Sequence, residues 1–203
     1  MPTDVDNDQL TQHFEDALIY ALRLHAGQVR KGSETPYFAH LMSVAALVIE
    51  DGGDEDEVIA GLLHDAIEDQ GGAEVRAEIR RRFGERVAAI VDGCSDAETI
   101  PKPPWRARKE RYVASLADAS PAVIRVEAAD KLHNARSILR DYRQLGESLW
   151  SRFSGGREGT LWYYREMTRI LQTRTDSPLV VALDEVVTTL ERLAQQNAQT
   201  PGF

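Results

Sequence analysis

Five histidines are few enough to weigh one by one, and the pair His64-Asp65 carries the most chemistry. In an apolar mid-chain segment an adjacent imidazole and carboxylate must find partners, because an unpaired polar or charged group is costly to bury. At 3.6 residues per turn Glu68 falls one turn beyond His64 and Asp69 one turn beyond Asp65. The run HDAIED therefore sets one imidazole and three carboxylates along one helix face. Three like charges repel, and a divalent cation is the simplest relief. His40, which follows TPYFA, and Asp130, in VEAADKLHNAR with Asn134 one turn further on, are the other candidates. Two imidazoles and two carboxylates offer only nitrogen and oxygen, a donor set for Mn²⁺, Fe²⁺, Co²⁺ or Zn²⁺ and not for thiolate-loving metals. On spacing alone a buried His with a neighbouring acid is more often a structural pair satisfied without any ion.

Helices must deliver these residues. Leu10, Phe14, Ala17, Leu18, Ala21 and Leu22 recur at spacings of three and four, which predicts an amphipathic helix over 8–27 that stops by Gly32. Thr35-Pro36 reads as an N-cap and first-turn proline opening a second helix through His40 to Ile49. Asp54 to Glu57 suit the positive N-terminal end of a third, running through Val58 to Glu68 as far as Gly71-Gly72. Glu74 to Phe83 and Glu85 to Val91 form two pieces broken at Gly84, and the proline-rich stretch 95–106 is a loop. Helical spacing resumes at Arg108 and breaks at Pro121, and Ala122 to Tyr142 is the longest helix of the second half. Ser154 to Gly159 reads as a loop, followed by helices over Thr160 to Thr173 and Pro178 to Gln196. With no period-2 run and no internal repeat, the expected fold is an all-α, multi-helix bundle. It is expected to be one domain over 8–196, with core motifs at 25–136 and flexible tails at 1–7 and 197–203.

Composition narrows the function classes. The 203 residues are 42% hydrophobic and 28% charged, an ordinary globular balance, and no apolar run approaches the roughly 20 residues of a membrane span. Met1 to Leu10 has no Lys or Arg, the opposite of a targeting peptide, so a cytoplasmic protein without a membrane partner is expected. Cys94 stands alone, which removes disulfide scaffolds, Cys-rich zinc sites and CxxC redox chemistry; a half-buried thiol is expected. The net charge of −9 is uneven, with 3 basic and 16 acidic side chains in residues 1–75. Such a surface does not track the phosphates of a nucleic acid. A small anionic ligand would need a local cationic pocket that borrows Arg and Lys from the second half.

The order of His40, His64-Asp65 and Asp130 resembles the HD superfamily of metal-dependent phosphohydrolases. The flanking runs HAGQVRKGSETPYFAH (25–40), LLHDAIED (62–69), FGERVAAIVDGCSD (83–96) and ADKLHNAR (129–136) are similar to the hydrolase domain of RelA/SpoT proteins and to stand-alone small alarmone hydrolases. That resemblance, over about 14–142, implies the HD-domain bundle and hydrolysis of the 3′-pyrophosphate of guanosine tetra- and pentaphosphate to GDP or GTP and pyrophosphate, usually with Mn²⁺. It implies metal ligands at His40, His64, Asp65 and Asp130, and an acidic pair, Glu68 and Asp69, for the nucleophilic water. Arg30 and Lys31 match the pair at the mouth, where a guanidinium stacks on a base and an ammonium meets phosphate, and Asn134 matches a position near ligand or ribose.

Two departures are visible. Three residues before Asp130, where the resembled enzymes often carry Lys, this chain has Glu127, so one phosphate-binding cation is expected to be missing. The segment 150–167 differs too, and its Tyr163 is a candidate base or ribose contact as well as a candidate core residue. His25 and His133 are expected behind the ligands, and His13 at the surface. Other substrates remain open, such as an adenosine alarmone or a nucleotide with a ribose 2′- or 3′-phosphate, as does a non-catalytic regulatory module; the oligomeric state is open as well. HD followed by AIED, with no GYP tripeptide, disfavours a cyclic dinucleotide phosphodiesterase.

Overall fold

A computed structural model describes residues 10–96 and 103–199. The expected tail 1–7, residues 97–102 of the proline-rich stretch and residues 200–203 of the second expected tail lie outside these residues. Among those described, the chain is a helical bundle of α1 (Gln12–Leu24), α2 (Phe38–Glu50), α3 (Glu55–Leu63), α4 (Ala66–Gln70), α5 (Gly72–Cys94), α6 (Trp105–Ser115), α7 (Pro121–Leu145), α8 (Gly156–Gln172) and α9 (Pro178–Gln199), with a 3₁₀ turn at Gly146–Arg152. No described helix is long and apolar enough to cross a membrane.

Local chemistry sets the ends. The Thr11 hydroxyl accepts from His13 N at 3.1 Å to start α1, Asp54 and Glu57 form a capping box on α3, and Ser120-Pro121 opens α7. Helix α7 is the axis: it buries Val123, Ile124, Val126, Ala128, Ala129, Leu132 and Ala135 and packs on α2, α3, α5, α8 and α9. Helices α2 and α3 approach closely because Gly61 has no side chain: a Cβ there would stand 3.4 Å from Ala45 Cα. That approach brings His40 on α2 beside His64 at the end of α3.

Four departures from the sequence expectation bear on the site. The helix through HDAIED is broken, with α3 ending at Leu63 and α4 starting at Ala66, so His64-Asp65 forms the corner between two helices. The second helix begins at Phe38, not at Thr35-Pro36, because residues 28–37 fold back as a loop: Arg30 N donates to Thr35 O at 2.8 Å and Tyr37 N to Gln28 O at 2.8 Å. Its turn needs Gly32, which has a φ of +77°. The 154–159 segment is a loop only in part: α8 starts at Gly156, and Gly155 and Gly159 form a bed for the Trp105 ring, which a Cβ at Gly155 would meet at 2.6 Å. Finally, α9 extends past Gln196, and Asn197 donates from Nδ2 to the Tyr142 hydroxyl at 2.9 Å. The kink at Gly84, with φ of +87°, falls where the sequence put it. Cys94 is buried, more than the expected half, and burial pushes its thiol pKa well up, which keeps it an unreactive thiol.

Candidate metal centre and its flanking cavities

Each imidazole is oriented by its far nitrogen. His64 donates from Nδ1 to the Gly61 carbonyl at 2.9 Å, and His40 shares a hydrogen bond with His133, Nδ1 to Nδ1, at 2.7 Å. His133 is held neutral, its pKa lowered to about 4 by burial and then by His40 and Arg30, so its lone pair accepts the His40 proton. Both Nε2 atoms are then free to point inward, where they are buried without a hydrogen-bond partner. With the far nitrogen engaged, Nε2 is the atom that each ring presents to an ion, as in metal-binding histidines.

Carboxylates close on the same point. Asp65 Oδ2 lies 3.0 Å from His64 Nε2 and 3.6 Å from His40 Nε2, and Asp130 Oδ1 lies 3.1 Å from His40 Nε2 and 3.5 Å from His64 Nε2. Ligand atoms of His40, His64 and Asp65 all fall within 4.8 Å of one another. Burial opposes charge on His64, yet Asp65 and Asp130 override it and hold its pKa well above the imidazole range. Burial likewise opposes ionisation of Asp130 and Asp65; Lys131 with the two imidazoles overrides it at Asp130, and the imidazoles do so at Asp65. Two orphaned imidazole nitrogens between two ionised carboxylates form a place where positive charge is stabilised, and a divalent ion fits that donor set.

Around the ligands lies a supporting layer. Tyr37 donates its hydroxyl to Asp65, and burial followed by Asp65 pushes its pKa far up, so it stays a phenol. Asp130 accepts from Lys131 Nζ and from Asn134 Nδ2, each at 2.5 Å. Asn134 in turn accepts from Arg30 Nη2 at 2.8 Å, so the mouth residue and the ligand are two hydrogen bonds apart.

Two cavities flank the centre and share Tyr37, Asn134 and Tyr164. The inner one, of about 260 Å³, is bordered by Asp65, Glu68, Asp69, Lys109, Lys131 and Tyr163. Asp69 Oδ2 accepts from Gln28 Nε2 at 2.9 Å, and Gln28 is braced by His25 Nδ1 at 2.7 Å. His25 stacks on Tyr37 at 5.6 Å, a supporting position as expected. Glu68 lies 3.9 Å from Arg108 Nη1, and Arg108 and Lys109 both bind Asp96. The outer cavity, of about 370 Å³, is lined by Arg30, Lys31, His40, Asn134, Arg152 and Tyr164, among others.

Of the residues singled out in the sequence for metal, water and mouth, Asp65, Glu68, Asp69, Asp130 and Asn134 border the inner cavity and Arg30, Lys31, His40 and Asn134 the outer one, while His64 is buried between His40, Asp65 and Asp130. Tyr163 is only 6% exposed; Lys109 Nζ stands 4.8 Å over its ring, so it faces a cation and packs in the core. Tyr163 borders the inner cavity alone, whereas its neighbour Tyr164, like Tyr37, borders both. Glu127 is fully buried and faces Lys131 at 3.1 Å, so the expected loss of a cation is accompanied by partial neutralisation of a second. Sequence reasoning missed Tyr37, Arg108, Lys109 and Arg152. Tyr37 had a signal, three residues before His40 and so on its face; the other three are carried in from distant helices and had none.

Comparison with known proteins agrees with this geometry. The sequence model of a family described as "HD domain" matches residues 17–161. A human protein named guanosine-3′,5′-bis(diphosphate) 3′-pyrophosphohydrolase is 36% identical over 128 residues, covering 62% of this chain and 69% of that protein. One of the same name from Aquifex aeolicus (strain VF5) is 35% identical over 130 residues, 63% of this chain and 18% of that protein. The chain thus spans less than a fifth of the long curated relatives it matches. A solved structure described as "A metazoan ortholog of SpoT hydrolyzes ppGpp and plays a role in starvation responses" aligns with a TM-score of 0.73 at 26% identity, over 88% of this chain and 96% of that one.

Proposed function

Because the chain belongs to the HD domain family, we propose that it is a metal-dependent hydrolase that removes the 3′-pyrophosphate of guanosine tetra- and pentaphosphate, giving GDP or GTP plus pyrophosphate. The observation that carries this reading is the pair of orphaned Nε2 atoms of His40 and His64, set between an acidic cavity and a cationic one. The relatives' names, the human one above all, supply the substrate. We further propose Mn²⁺ as the ion, supported by the nitrogen and oxygen donor set, and a cytoplasmic setting, supported by the free, buried Cys94. We assign the activity to a single domain over 8–196, supported by the one core that its helices share.

His40, His64, Asp65 and Asp130 would hold the ion. When bound, it offsets charge on the phosphoryl oxygens and makes an attacking water more acidic. The carboxylates of Glu68 and Asp69 border the same cavity and take the proton of that water. The new bond joins water oxygen to the phosphorus next to the 3′ oxygen; the bond broken is that from phosphorus to the 3′ oxygen, which leaves and is reprotonated as the nucleotide's 3′-hydroxyl. Arg30 and Lys31 hold the anionic nucleotide in the outer cavity.

The test is metal-reconstituted protein offered guanosine and adenosine 3′-pyrophosphates, with products resolved by anion exchange. Pyrophosphate with GDP or GTP supports the reading; no pyrophosphate from the guanosine substrate ends it, and faster release from the adenosine substrate replaces the base.

The two mouth residues should behave differently under mutation. Lys31 has no ion pair among the described residues, so Lys31→Ala should raise KM about tenfold, the loss of one charged contact of about 1.4 kcal/mol, at nearly constant kcat. Arg30 also holds Asn134, which holds Asp130, so Arg30→Ala should raise KM and also lower kcat a few fold. Added salt should weaken wild-type binding more than that of either variant. Normal KM values for both variants would remove these residues from substrate binding.

A further inference from the structure

The outer cavity holds more cationic charge than the proposed reaction uses. Arg152, the last residue of the 3₁₀ turn, borders it together with Lys31. That turn is anchored: Trp150 is buried, with Tyr142 at 5.2 Å and Phe153 at 6.3 Å between ring centroids. Arg152 lies flat against the loop that carries Lys31, so closely that a Cβ on Gly32 would stand 2.7 Å from its Nη1 and 2.9 Å from its Cζ. Among the described residues neither Arg152 nor Lys31 has a carboxylate partner, whereas Arg140 beside them already faces Asp141 at 3.1 Å. Two unneutralised cations on a braced support, in a chain of net charge −9, form a site for an anion.

Position says which anion. Two hydrogen bonds link Asp130 through Asn134 to Arg30, Lys31 and Gly32 come next in the chain, and Arg152, set against Gly32, lines the same cavity as Arg30 and Lys31. Both cavities border the metal ligands, but the inner one is lined by Asp65, Glu68, Asp69, Asp96 and Asp130, so the anionic remainder of a nucleotide whose 3′-phosphates meet the centre finds its free cations in the outer cavity. Base and ribose carry no negative charge for the outer pair, and 5′-phosphates do. We propose that Arg152, with Lys31, binds the 5′-phosphates of the substrate and so makes this chain selective for nucleotides phosphorylated on both sides of the ribose. This rests on the function proposed above and names the part of the substrate that Arg152 reads.

The experiment compares kcat/KM for guanosine 5′-triphosphate 3′-diphosphate with that for guanosine 3′-diphosphate bearing a free 5′-hydroxyl, in wild type, Arg152→Ala and Arg152→Lys. Arg152→Ala should lower the ratio of the two values about tenfold, and Arg152→Lys, which keeps charge but not the planar fork, should lower it less. A purely structural role would lower both values together and leave the ratio unchanged, and that result overturns the proposal. Calorimetric titration of the metal-loaded protein with GTP separates this outcome from failure of the underlying reaction. If wild type hydrolyses neither substrate, the proposed function falls, and equal GTP affinity in wild type and Arg152→Ala then overturns the phosphate assignment on its own.

Discussion

Replacing Glu68 by Gln lowers turnover by about 10²–10⁴, the usual cost of losing a general base, while metal content and nucleotide affinity stay within a few fold of wild type. The expectation follows from where the break in the helix leaves this residue. Helix α4 is a single short turn from Ala66 to Gln70, and it starts from Asp65, so the ligand and the acidic pair are fixed by the same few residues. Glu68 and Asp69 both border the inner cavity, but their supports differ. Asp69 accepts from Gln28, which His25 braces, an arrangement suited to orienting a water. Glu68 lies 3.9 Å from Arg108 Nη1, and the same guanidinium binds Asp96, so a cation shared between two carboxylates steadies it. Gln keeps the shape and removes the basicity, which separates proton transfer from packing. Asp69→Asn should cost less, since its amide can still orient water. Rates at saturating nucleotide and elemental analysis of the same preparations are the measurements, and a Glu68→Gln enzyme within a few fold of wild type would move the base elsewhere.

Much of this site was legible in the sequence because its signals are local. The helices follow from apolar spacing and caps, and the glycine at 84 marks its kink by the same backbone argument that applies in the structure. The ligands were legible because His64 and Asp65 are adjacent and polar in an apolar run. What failed was continuity: HDAIED contains no Gly or Pro, so periodicity carried one helix through it. The interruption is tertiary, with the His64 imidazole turned back to the Gly61 carbonyl and its other nitrogen drawn to Asp65 and Asp130. The 28–37 loop was misread for a related reason, since Thr35-Pro36 has helix-start chemistry but Thr35 O is already paired with Arg30 N. Arg108, Lys109 and Arg152 reach the site only because Trp105 docks on Gly155 and Gly159 and because Trp150 anchors the 3₁₀ turn. No window of sequence contains both partners of such a contact.

Loss of the ion should be the largest effect of all. Chelation should abolish hydrolysis and readdition of Mn²⁺ restore it, while His40→Ala and Asp65→Ala should each lose metal as purified. Supporting contacts to metal ligands are commonly worth about 10–100-fold in metal affinity or activity, so Asn134→Ala, which removes a bond to Asp130, sets the scale that loss of a ligand should exceed. The metal-free site also predicts a pH dependence. With Nδ1 of His64 already donating to Gly61, the proton favoured by Asp65 and Asp130 must sit on Nε2, the atom that would face the ion. The raised pKa means this proton is present at and below the ordinary imidazole range and competes with metal there. Affinity should therefore fall as pH is lowered and rise as pH is raised, with protons released on binding. Calorimetric titration with Mn²⁺ in buffers of different ionisation enthalpy reads that release directly. Because the ion binds only the folded chain, it should also raise Tm with increasing metal concentration in wild type and not in Asp65→Ala. Undiminished metal content in both His40→Ala and Asp65→Ala would place the ion elsewhere in the protein and leave the buried His-Asp cluster with a structural role alone.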